Sequence, residues 1–149
     1  MDLTHALLGE HGVFYAQFDQ LEKTASSGSL ADVQAQAGLI AVALLGHAGL
    51  EDDLLFTALE PQLGTQAGPL AVMRMEHIEI EGAFQRIARA NDLEEASGLV
   101  REVLQTLRDH FAKEEQVLFP MAAQVLGSGR LVEMGGRWAD ARKVSIGRQ

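Results

Sequence analysis

The chain has 149 residues, the size of one domain that hides roughly 70% of its unfolded surface. Hydrophobic residues make up 47%, which excludes a chain disordered by composition, and 21 acidic against 12 basic residues give a net charge of -9. Such acidity argues against a nucleic-acid surface or a polybasic membrane patch, and the absence of cysteine excludes disulfides, thiolate metal sites and thiol nucleophiles.

The N-terminus, Met1 to His5, has neither a basic region nor an apolar run of the secretory kind. The most apolar segment, Gly38 to Leu50, is short and contains His47. No run of about 18 uninterrupted apolar residues is seen, so a cytoplasmic chain without a membrane span is expected.

Ala, Leu, Glu, Gln and Arg dominate between the turn signals, and all favour helix. A first helix is predicted from Thr4 to Ala25, closed by Ser26-Ser27-Gly28. Ser29 with Asp32 reads as a capping box opening a second helix, which runs to Glu60 before Pro61. Residues 64–68 read as loop, and Pro69 suits the first turn of a third helix to Ala90. Asn91 or Asp92 caps a fourth, to Leu126. Apolar residues recur at helical intervals: Leu7, Phe14, Phe18 and Leu21; Met73, Ile80, Phe84 and Ile87; Leu104, Leu107, Phe111 and Leu118. Four such helices with short connections predict an all-α, up-and-down antiparallel four-helix bundle spanning 1–126.

Residues 127–149 differ. Arg130, Arg137, Arg142, Lys143 and Arg148 outnumber Glu133 and Asp140, a net +3 by formal charge. Leu131, Met134 and Trp138 line one face of a short helix, so a basic C-terminal segment docked on the acidic bundle is expected.

The chemistry lies in the histidines. His47 is followed by Glu51, His77 by Glu81 and His110 by Glu114, each one helical turn apart on one face. His11 has Tyr15 at that position. The run from His47 to Phe56 repeats as His110 to Phe119, at an offset of 63. Glu10-His11, with Phe14 and Phe18, repeats as Glu76-His77, with Ile80 and Phe84, at an offset of 66. A bundle with this pseudo-twofold brings four His and three Glu to one point, where burial without a cation would be heavily penalised.

Mixed imidazole and carboxylate donors suit iron, manganese or zinc. Seven ligands exceed one tetrahedral zinc and suit two ions bridged by carboxylates and an oxo or hydroxo group. The Glu-x-x-His spacing of ferritin-like bundles is absent. Glu10 and Glu76 lie about 100° around the helix from the adjacent His, and are expected at the surface. His5 is expected there too. Gly46 and Gly49 read as close helix packing, or as an opening for a small ligand.

These segments, above all His110…Glu114-Glu115-Gln116-Val117-Leu118-Phe119-Pro120, resemble the hemerythrin-like, or HHE cation-binding, family. The resemblance implies a four-helix bundle around two non-haem iron ions. Glu51 and Glu114 would bridge them, His11 and His47 would complete one, and His77, Glu81 and His110 the other. Zinc or manganese would be substitutes. Glu81 stands where oxygen-carrying members have His; a third carboxylate favours the ferric state, against reversible oxygen carriage. Tyr15 reads as a core aromatic bonded elsewhere, the alternative being a bond to a bridging or iron-bound group.

The expected function is binding of, or reaction with, peroxide, dioxygen or nitric oxide, with catalase- or peroxidase-like turnover as the enzymatic form. The alternatives are a sensing or storage module without turnover, or a structural metal-binding bundle, as monomer or homodimer.

Overall fold

A computed structural model describes residues 1–145; Arg148 of the basic segment lies outside them. Helix α1 (Leu3–Ser27) starts where the Asp2 side chain accepts the His5 N–H. Helix α2 (Leu30–Leu50) starts at the predicted capping box, with both Ser29–Asp32 bonds formed. It continues through a π-helical segment (Glu51–Phe56) into α3 (Thr57–Leu63). Helix α4 spans Pro69–Arg89, and α5 (Leu93–Lys113) is capped by Asp92 accepting the Glu95 N–H. A second π segment (Glu114–Leu118) leads into α6 (Phe119–Arg142).

Helix α1 packs on α2 and α5, and α4 packs on α2 and α5, so chain neighbours are spatial neighbours. This is the expected all-α helical bundle. One boundary differs from expectation. The second helix passes Pro61 and ends at Gly64, whose φ of 78° stops it. Pro61 leaves the Thr57 carbonyl without its N–H, and the helix ends within three residues of it. The fourth helix ends at its expected boundary, where Gly127 takes φ 73° and ψ 163°, and a second helical segment of α6 follows to Arg142. Only glycine tolerates that conformation cheaply. The run Leu30–Leu63 is long and apolar enough, by length and composition alone, to cross a membrane, a criterion that the core helix of a bundle also meets. Its inner face carries Val33, Ala37, Ile40, Leu44, His47 and Glu51 into the bundle.

Two apolar layers form the core. One holds Phe14, Phe18, Leu21, Ile40, Phe84, Ile87, Leu104 and Phe111. The other holds Leu3, Leu7, Leu55, Phe56, Leu59, Leu70, Leu118 and Phe119, closed by Leu131 and Met134 of α6. The segment after Gly127 lies against the start of α1. A Cβ on Gly135 would stand 2.6 Å from the Met1 carbonyl oxygen, so only a bare α-carbon permits this approach. Along α1, His11 falls between Leu7 of one layer and Phe14 of the other; along α4, His77 falls between Met73 and Ile80. The polar layer thus sits between two dry ones.

Candidate metal centre

Both π segments start on an acidic residue of the repeat, Glu51 and Glu114. The Thr57 N–H reaches back five residues to the Asp52 carbonyl, and the Phe119 N–H to that of Glu114. Pro120 has no N–H to offer the Gln116 carbonyl, which eases the wider turn in the second copy. Such bulges add a residue to the turn and re-aim the side chains beside them.

The four histidines point their Nε2 atoms inward. His11 Nε2 lies 3.2 Å from His47 Nε2, and His77 Nε2 lies 3.1 Å from His110 Nε2. The carboxylates lie between the pairs. Glu51 approaches His47 at 3.2 Å and His77 at 3.4 Å; Glu114 approaches His11 at 3.2 Å and His110 at 3.1 Å. Ligand atoms of His11, His47, Glu51 and Glu114 all fall within 4.8 Å of one another. So do those of His77, His110, Glu51 and Glu114. The two groups share both carboxylates. Phe111 stacks on His11 with centroids 3.8 Å apart, and Phe56 stacks on His77 at 5.7 Å.

Glu81 is not brought to either group. It is exposed and accepts a hydrogen bond from Gln85 Nε2 at 3.3 Å. The i, i+4 spacing from His77 is met, but α4 presents Glu81 toward solvent rather than toward the shared carboxylates. The expectation of a third inner carboxylate is corrected accordingly. His5 is at the surface, bonded to Asp2.

The outer groups were misread in sequence. Glu10 and Glu76 do point away from the adjacent His, but that direction faces the neighbouring helix. Glu10 accepts the His47 Nδ1 proton at 2.6 Å, and Glu76 that of His110 at 2.7 Å. Glu115 accepts from His11 Nδ1 at 2.8 Å and from the Tyr15 hydroxyl at 3.1 Å. Tyr15 therefore bonds outside the inner donor set. The signal was present: Glu-His recurs at an offset of 66, and Glu115 directly follows a ligand candidate. Of the Nδ1 atoms of the four inner histidines, only that of His77 is buried without a partner among the described residues.

Electrostatics follow. Burial works against the Glu10 anion, but bonds from His47, Arg142 and Trp138 hold the carboxyl down at about 2. Burial likewise opposes the charged His47, yet Glu51 and Glu10 push its pKa up to about 10. His110 is raised against its burial by Glu114 and Glu76. Burial would raise Glu51, but His47 and His77 drive it well below the carboxylate range. Burial and the Glu115 carboxylate push Tyr15 up to about 12.

The donor set fits metal. Carboxylate acceptors on Nδ1 of His11, His47 and His110 keep the proton there and turn the Nε2 lone pair inward. Two Nε2 atoms 3.2 Å apart need a proton or a metal ion between their lone pairs, and in the metal-free chain His47 carries that proton. Donors about 2.1 Å from one ion and at right angles around it are about 3 Å apart. Both oxygens of Glu51 and of Glu114 are buried with no hydrogen-bond donor among the described residues. Such orphaned anions are costly without a counter-ion.

A family model described as the hemerythrin HHE cation-binding domain matches residues 2–122. No curated protein and no solved structure gives a significant match.

Proposed function

The chain belongs to the hemerythrin HHE cation-binding family, and on that premise we propose that it is a non-haem di-iron protein that reacts with small oxidants: peroxide, dioxygen or nitric oxide. In this reading His11 and His47 hold one ion, His77 and His110 hold the other, and Glu51 and Glu114 bridge them. Supporting it are the four buried carboxylate oxygens that lack donors, shared between two histidine pairs. Manganese and zinc suit the same donors.

Iron bound there supplies one-electron redox steps and an open position for the oxidant. The chain's own residues set the conditions. Glu10, Glu76 and Glu115 make three imidazoles stronger donors, while Arg142 and Lys113 balance the charge of the first two. That favours the higher oxidation state and disfavours a resting ferrous carrier of oxygen, although Glu81 takes no part. The apolar layers exclude bulk water. His77 is 13% exposed, against 1% for His11, so its edge is the more open approach. That opening suits ligands of a few atoms.

The test is elemental analysis and an absorption spectrum of purified protein, followed by addition of peroxide. Two irons per chain, ferric absorption and oxygen release in proportion to iron are expected. A stable adduct without turnover would move the reading to a sensing or storage module. No iron after anaerobic ferrous loading would overturn it.

A further inference from the structure

The segment after Gly127 does more than cover the bundle end. Its last turn reaches the centre through one carboxylate. Glu10 Oε1 accepts Trp138 Nε1 at 2.9 Å and Arg142 Nε at 2.7 Å. Glu10 Oε2 accepts Arg142 Nη2 at 3.0 Å and His47 Nδ1 at 2.6 Å. The guanidinium fork grips both oxygens, which fixes the plane of the carboxylate as well as its charge. The indole adds a third point, and His47 is bonded to the one remaining direction.

The seat of this clasp is built. Leu131 and Met134 are buried against Leu3 and Leu7 of α1. Gly135 admits the Met1 backbone. On α2, Gly46 leaves room for Arg142, whose Nη1 lies 3.4 Å from where a Cβ would be. That position is one residue before His47.

The mirror half lacks the clasp. Glu76 takes the same role toward His110, but its other oxygen meets Lys113, a half-exposed ammonium three residues from His110 on the same helix. An ammonium supplies charge without fixing a plane.

We propose that Trp138 and Arg142 are positioning residues for the ion held by His11 and His47, acting through Glu10. The C-terminal segment then makes the two metal positions unequal: the ion on the Glu10 side leaves slowly, that on the Glu76 side quickly. This rests on the reading of the site as a two-metal centre. A staple that merely holds the segment down would affect both ions alike, or neither.

The full chain loaded with cobalt(II) and mixed with excess chelator tests it, with release followed by absorbance. The wild type should release two ions in two phases, the slow one being the phase that His11→Gln abolishes. Arg142→Gln and Trp138→Phe should each accelerate the slow phase about 10- to 100-fold, the usual effect of removing such outer partners. The fast phase should not move. Arg142→Lys, which keeps charge but loses the fork, should recover only part of the delay. Lys113→Gln should touch the fast phase alone. Unchanged slow release in both Arg142→Gln and Trp138→Phe overturns the proposal, as does equal acceleration of both phases. Failure of the wild type to take up cobalt overturns the two-metal reading itself, a separate outcome. Metal-free melting and helicity identify a misfolded variant; the conservative Trp138→Phe and Arg142→Lys then decide.

Discussion

The two halves of the centre share a motif and differ in what surrounds it. On one side His11 and His47 both have carboxylates on Nδ1, Glu115 and Glu10, themselves bonded by Tyr15 and by Trp138 with Arg142. On the other side only His110 has one. The pseudo-equivalent of Glu115 is Asp52, one carbon shorter and held by Arg74 Nε at 2.9 Å. Arg74 also lies over Phe56, the ring stacked on His77. His77 Nδ1 is left unpaired. A repeated sequence thus yields repeated inner donors, while the outer shell is decided by what each half meets in space.

The largest effect should come from the groups common to both halves. Glu51→Gln replaces a bridging anion with a neutral amide of the same size, and metal content should fall from two ions to less than one per chain. His77→Gln should instead remove one ion, so elemental analysis of the pair checks that the carboxylates are shared.

The next contrast lies between pseudo-equivalent outer residues. Glu115→Gln should weaken metal binding about 10- to 100-fold, because the His11 Nδ1 proton is left with a neutral amide acceptor in place of an anion. Asp52→Asn should leave it unchanged. Competition with a metal indicator measures both. Equal losses would abolish the asymmetry.

Proton linkage sharpens the comparison further. In the metal-free chain His47 is raised from 6.5 to about 10. Its contribution to stability is fully present below pH 6.5 and is lost as pH rises through about 10. Glu10 runs the other way: lowered from 4.5 to about 2, it contributes above pH 4.5 and loses that contribution as pH falls toward 2. Metal-free protein should therefore melt at progressively lower temperature between pH 7 and 10, and metal-loaded protein should not, since the ion replaces the proton. Equal slopes in the two melting series would count against the proton and the metal sharing one place.

At the clasp, Gly135→Ala should cost about 1–3 kcal/mol by chemical unfolding, since the new methyl meets backbone that can move only with the whole segment. The smallest effect should come from Glu81→Gln. Exposed and bonded only to Gln85, it should change stability by less than about 0.5 kcal/mol and leave two ions bound. Loss of one ion would return Glu81 to the centre.

Much of this was legible in the residues. The capping box at Ser29, the Pro69 start, the Asp92 cap and the i, i+4 pairs are local, and local chemistry is written in the chain. The repeat offsets of 63 and 66 placed His11, His47, Glu51, His77, His110 and Glu114 on facing helices, as the structure has them. Glu81 satisfied the same spacing and failed, because spacing places a residue on a face without saying which neighbour that face meets. Glu10 and Glu76 differ the opposite way: a direction off the ligand face of their own helix meets a histidine of the next helix rather than solvent. The π segments were invisible, since a one-residue widening of a helix leaves apolar periodicity nearly intact.

The sequence by itself determined the helices, most of their caps and six of the seven inner donors it pointed to, because these follow from intervals along single helices and from one repeat. Only the tertiary structure decided which carboxylate serves which imidazole. The outer pairs join residues 34 to 104 positions apart, and crossing helices, rather than periodicity within any one of them, set such distances. The same holds for Trp138 and Arg142: their composition marked a basic segment, but only the turn at Gly127 and the bare backbone at Gly135 bring it onto Glu10.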